Sequence, residues 1–137
     1  MKKALIIDKN GAFCIKSAPK DLKCSWIAEQ IECQWIEIVR PKNLPKGLVM
    51  IVDEEGHLKP NIINIIGSHL YGAEEHGETI VGDIMILREV FGDEGPELAP
   101  LCEEEAYELF CDLSSPIKYL DWYEKIEAAV DAARKER

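Results

Sequence analysis

The chain has no apolar run that approaches the roughly 20 residues of a membrane-spanning helix. Its longest uninterrupted apolar stretch beyond the start, residues 48–52, has the length of a strand. Residues 1–8 open with two lysines, but the apolar run behind them stops at Asp8 and no small-residue cleavage site follows. That is too short for the h-region of a secretory leader. Both absences predict a cytoplasmic protein that meets no membrane. Five cysteines are present (Cys14, Cys24, Cys33, Cys102, Cys111), yet no two have Cys-x-x-Cys spacing and none stands in a Cys/His ligand block. An odd count without export signals predicts reduced thiols packed as small apolar side chains, and no structural metal.

The usual signatures of catalysis are missing as well. There is no Gly-x-Ser-x-Gly elbow, no Walker loop, no Gly-x-Gly-x-x-Gly and no His-Glu-x-x-His. His57, His69 and His76 are scattered, and the adjacency of Ser68 and His69 in sequence does not set a base against a nucleophile. Asp53-Glu54-Glu55-Gly56 lacks the alternating oxygen ligands of a calcium loop and reads as a solvated turn. The expectation is no catalytic residue, no metal and no cofactor.

Positive charge is missing from one long segment. Residues 89–112 contain no Lys or Arg and nine acids: Glu89, Asp93, Glu94, Glu97, Glu103, Glu104, Glu105, Glu108 and Asp112. Residues 1–60 carry 10 Lys/Arg against 8 Asp/Glu, and residues 61–137 carry 6 against 18, so the net charge of −10 is concentrated in the second half. Such a surface repels phosphate backbones, which argues against direct nucleic-acid binding there.

A chain of 137 residues is long enough for one core without covalent staples. Residues 3–9 and 12–17 are short apolar runs joined by Asn10-Gly11, which predicts a hairpin with a type I′ turn. Pro19 suits a helix start, and Leu22, Trp26, Ile27 and Ile31 form a helical stripe ending near Glu32. Trp35 to Val39 predicts a third strand, closed by the proline-flanked loop 41–47. Residues 48–52 are apolar on both faces, as in a central strand. In residues 60–72 the spacing of Ile62, Ile63, Ile65, Ile66 and Leu70 predicts a short helix or ordered loop, with Gly72 as its stop. Residues 79–89 read as the last long strand, with Gly82 at a bulge or close backbone contact.

Residues 91–100 hold two prolines and two glycines and read as an acidic linker. Two helices follow. The first buries Ala106, Leu109 and Phe110, with Cys102 and Glu105 at capping-box spacing; the second starts at Ser115-Pro116. In the second, Tyr119, Tyr123, Ile126, Val130 and Ala133 make a heptad seam for docking on the domain or for a homodimer. The predicted fold class is α+β: a mostly antiparallel sheet of about five strands in the order ββαββ…β, one covering helix, then two C-terminal helices. The predicted organisation is a core over residues 1–90, a linker over 91–100, and a helical hairpin over 101–137 packed on the core or on a partner.

Three stretches together carry a family likeness. Lys3-Ala4-Leu5-Ile6-Ile7 with Asn10-Gly11 looks like a first hairpin. Trp35-Ile36-Glu37-Ile38-Val39 and Leu48-Val49-Met50-Ile51-Val52-Asp53-Glu54-Glu55-Gly56 look like central strands and their turn. Leu70-Tyr71-Gly72, then Ile80-Val81-Gly82-Asp83 with Ile84-Met85-Ile86, look like a closing strand. In these segments, over roughly residues 3–110, the chain resembles the domain-of-unknown-function family 3846, short proteins of phages, plasmids and integrated elements. The helix after Ser115 looks like an addition. The resemblance implies an accessory protein of a mobile element and no particular activity.

Two function classes stand ahead of an enzyme. The first is a binding or regulatory protein that contacts a basic partner protein through Glu97, Glu103, Glu104, Glu105 and Glu108. In its strongest form these acids mimic DNA phosphates and inhibit a nucleic-acid-binding protein. The second is a small-ligand-binding or sequestering protein with a pocket at Tyr71, Gly72, Gly82 and Asp83, where a glycine-bounded loop meets an aromatic ring.

Overall fold

The computed structural model describes residues 2–135. Three of its strands are apolar at consecutive positions, and this decides the architecture. In β1 (Lys2–Ile7), β4 (Leu48–Asp53) and β5 (Ile84–Gly92), successive side chains alternate between two buried faces. Leu5, Ile7, Met50, Val52, Ile84 and Ile86 enter one core, and Ala4, Ile6, Val49, Ile51, Met85 and Leu87 enter the other. The sheet therefore needs cover on both sides.

The strands pair in the order β2-β1-β5-β4-β3, with β2 at Phe13–Ser17 and β3 at Ile36–Val39 on the edges, and every pairing is antiparallel. One face is covered by α1 (Cys24–Gln30), through Ile27 and partly buried Trp26 and Leu22. The other carries α2 (Ile65–Tyr71), the single turn α3 (Ala73–His76), α4 (Glu103–Leu113) and α5 (Pro116–Lys135). The chain is an α+β fold, as its sequence predicts.

Several details differ from the sequence reading. The first hairpin turn is not type I′, which needs positive φ at both central residues. Gly11 has φ 88°, while among the described residues Glu32 is the one non-glycine with positive φ. Bonds from Gly11 N to Asp8 O (3.0 Å) and from Asp8 N to Ala12 O (2.8 Å) enclose a three-residue loop, Lys9-Asn10-Gly11, with glycine in the left-handed position. The first helix begins at Cys24, not at Pro19, because Ala18 N still bonds Lys2 O (3.0 Å) and prolongs the β1–β2 ladder.

The expected linker is part of the sheet. Residues Gly95–Ala99 form β6 and pair with β5 from Arg88↔Ala99 to Gly92↔Gly95 around a two-residue turn, Asp93-Glu94. Leu101–Cys102 form β7 and pair with Lys2 and Lys3. β1 pairs β5 only through residues 5–7, so residues 95–102 fill the gap where the two strands splay. Pro96 is compatible with this because a proline sits in a ladder wherever its nitrogen faces away from the partner strand.

Two buried polar residues tie the helical layer to the sheet. Asn64, fully buried, caps α2 by accepting from Gly67 N (2.8 Å) and donates through Nδ2 to Ile7 O (3.0 Å), Asp8 O (3.2 Å) and Gly82 O (2.9 Å). Ser68 Oγ donates to Ile80 O (3.1 Å) and accepts from Ile80 N (2.9 Å). These bonds hold residues 79–82 off the sheet, so β5 starts at Ile84 and not at residue 79. No helix among the described residues is long and apolar enough to cross a membrane.

Candidate functional site

The four residues of the expected ligand pocket part company. Gly72, with φ 91°, ends α2, its N–H bonding Ser68 O and His69 O at 3.1 Å each. Gly82, with φ 79°, packs against Asn61 and bonds Ile62 O (2.9 Å), and Asp83 Oδ1 accepts from Lys9 N (3.0 Å). Asp83 therefore braces the base of the first hairpin, and Gly82 is held against residues 61–62. Tyr71 alone faces open space, a cleft of about 490 Å³ between the β3 edge, the 77–81 segment and the end of α5. That volume lies in the range of small-molecule sites.

The cleft has an apolar floor and a polar rim. Val39 on β3 and Val52 on β4 share one sheet face with Glu37, and Ile63, Tyr71, Val130 and Ala133 continue the floor. Glu37, Glu54, Glu78, His57 and Arg134 stand around it. His57 Nε2 lies 2.7 Å from Thr79 O, which ties the 3₁₀ turn Gly56–Leu58 to the opposite wall. Asp53, at the margin, accepts from Glu55 N (2.9 Å) and pairs with Lys59 at 2.6 Å; the hydrogen bond that the Lys59 ammonium donates to Asp53 holds it above its ordinary pKa. Burial first, and then the charge of Asp53, pushes the Cys33 thiol up, so it stays protonated at neutral pH and is a poor nucleophile.

The acidic segment divides into neutralised and free groups. Glu89 accepts from Arg40 Nε (2.9 Å) and Nη2 (2.5 Å); this pair lowers the Glu89 pKa and raises that of Arg40. Glu105 pairs with Arg88 and closes the capping box with Cys102, the Glu105 carboxylate accepting from Cys102 N at 3.2 Å. Glu97 lies on β6 opposite Val90. Glu103, Glu104 and Glu108 are exposed on α4, and Tyr107 stands among them with 60% of its surface open. Its pKa is raised by a hydrogen bond with the Cys111 thiol. The β5–β6 hairpin adds Phe91, 80% exposed.

The sequence did not single out Tyr107 or Phe91. Tyr107 lies one place off the buried stripe Ala106, Leu109, Leu113, and Phe91 lies in the supposed linker. The α5 seam also shifts. Ile126 and Trp122 are buried, Tyr119 and Val130 are partly buried against the same core, and Tyr123 turns outward at 42% exposure. Trp122 stacks on His69 at 4.0 Å and 11°, and His69 Nδ1 is 2.5 Å from Glu74 Oε1. The seam residues therefore dock α5 on α2 and α3, which leaves Ile126 in the core and unavailable to a second chain. A straight heptad chooses position 123; the packing angle of α5 chooses 122.

Among the described residues no three His, Cys, Asp or Glu side chains are grouped to hold a metal. No protein-family model, curated protein or solved structure matches the chain, and the chemistry of these surfaces is their own guide to function.

Proposed function

We propose that the chain is a non-catalytic binding or regulatory protein of the cytoplasm that contacts a basic protein partner through the outer face of α4. The observation that carries this reading is Tyr107, an aromatic side chain 60% exposed and set among Glu103, Glu104 and Glu108. A tyrosine of this kind supplies contact area at low entropic cost, and such residues dominate protein interfaces. The surrounding carboxylates steer a basic surface toward it and repel nucleic acid. The segment resemblance to family 3846 within residues 3–110, if it reflects kinship, adds that the chain is an accessory protein of a mobile element; it adds no partner.

Capture from host lysate tests this. Tyr107→Ala should lower recovery of the partner about tenfold or more, as loss of an interface anchor does. Glu103→Gln/Glu104→Gln/Glu108→Gln should flatten the decline of binding with salt, since exposed charges reach only about 8 Å at physiological ionic strength. Capture of the same partner by both variants, with the salt dependence of the parent chain, refutes the α4 interface.

A further inference from the structure

The cleft beside Tyr71 lies outside the α4 surface, and its two halves have different chemistry. Its floor is aliphatic and aromatic: Val39, Val52, Tyr71 and Val130. Its rim carries Glu37, Glu54 and Glu78, all exposed, and among the described residues none of the three has a cation within 4.0 Å. Arg134, the one Lys or Arg in the lining, is 71% exposed and already has Asp131 at 3.9 Å. Asp53, the fourth carboxylate, is matched by Lys59. The balance at the rim is negative, over an apolar floor.

We propose that this cleft binds an organic cation, a protonated amine carried on an apolar stem. The stem would cover the half-buried Val39, Tyr71 and Val130, removing apolar surface from water at roughly 25 cal/mol per Å². The ammonium would stay at the rim, within reach of Glu37 and Glu54, where it keeps part of its hydration and avoids the cost of full burial. An anionic ligand of the same size meets three carboxylates and is rejected. A neutral one gains only the floor. The same chemistry is offered by a free alkylamine or by a lysine side chain of a partner protein.

The experiment is an NMR titration of the full chain with n-hexylammonium, n-hexanol and n-hexanoate. Hexylammonium should saturate at millimolar concentration, shifting the amides of Tyr71, Thr79 and Val81, and should bind about tenfold tighter than hexanol. Hexanoate should give no shifts. Glu37→Gln/Glu54→Gln, exposed changes that keep side-chain size, should remove most of the preference over hexanol while leaving the folded spectrum intact. Ala133→Trp, which fills the cleft, should abolish binding of both. Nα-acetyl-lysine N-methylamide separates the sources: tighter binding than hexylammonium assigns the cleft to a partner's lysine, weaker binding to a free amine. Equal affinity for the amine and the alcohol, shifts elsewhere on the chain, or no saturation overturns the proposal.

Discussion

Asn64 is the residue on which the joint between the helical layer and the sheet depends, and its removal has a calculable cost. The change to alanine strips a donor from three carbonyls, of Ile7, Asp8 and Gly82, and an acceptor from the amide of Gly67. Carbonyls have a second lone pair, so the low end of the usual penalty applies, about 1 kcal/mol for each buried one. Loss of the helix cap adds about 1 kcal/mol. With a smaller share for the part-buried Asp8 carbonyl, the sum is about 3–4 kcal/mol, a large part of the roughly 5–15 kcal/mol that holds a domain together. The melting temperature should fall by about 10–15 °C.

Urea unfolding followed by circular dichroism measures this loss, and Asn64→Asp sharpens it. Aspartate keeps the cap to Gly67 but turns its other oxygen toward three carbonyl oxygens, with no donor between them when ionised. The charged form is disfavoured in the fold, so the folded pKa of Asp at this position rises above its unfolded value near 3.9. A raised folded pKa makes the folded state hold the proton longer, so the variant loses stability as pH rises from about 4 through the folded value. Its deficit relative to the parent should be smallest near pH 4 and greatest near pH 8. An alanine variant within about 0.5 kcal/mol of the parent, or an aspartate deficit that ignores pH, refutes the argument that these hydrogen bonds hold the joint.

The docking of α5 should depend on Trp122 far more than the first helix depends on Trp26. Trp122→Ala removes a buried indole stacked on His69 and should cost about 3–5 kcal/mol, whereas partly buried Trp26→Ala should cost about 1–2; equal denaturation midpoints for the two variants would contradict this. The Arg40–Glu89 pair gives an acid-side signature, because the Glu89 pKa is lowered in the fold. Its contribution is complete above the ordinary glutamate value of about 4.3 and is lost as pH falls through the lowered folded value. The stability gap between the parent and Glu89→Gln should therefore narrow from pH 7 toward pH 3, and a gap that stays constant would show that the pair acts without its charge.

The parts of the fold that were legible are those where one local pattern has one physical meaning. Residues 48–52 are apolar without alternation, a run of strand length between the turn residues Pro45-Lys46-Gly47 and Asp53-Glu54-Glu55-Gly56, and β4 is a strand buried on both faces. Gly72 after an isoleucine stripe marks a helix end, and Cys102 with Glu105 closes a capping box. The illegible parts depended on distant residues. Pro96 and Pro100 suggest a linker until the splay of β1 from β5 leaves a gap for the chain to fill. The start of β5 was set by Asn64, 18 positions from the Gly82 carbonyl it binds.

Surface chemistry was harder to read for a related reason. Helical spacing separates Ala106 and Leu109 from Tyr107, but it does not say that Tyr107 stays uncovered once the chain is folded; that follows from the packing of α4 on β1, β2 and β7, which leaves Tyr107 outside. The acidic segment shows how one residue type takes several roles. Glu89 and Glu105 neutralise Arg40 and Arg88, and Glu105 also closes a cap. Glu103 and Glu104 complement the positive end of the α4 dipole, which contributes about 0.3–1 kcal/mol to the helix each. That structural use does not consume their charge, because both remain exposed. Tyr107 separates the two roles. A helix end needs its acids and has no need of an open aromatic ring beside them, whereas the α4 interface proposed above uses both.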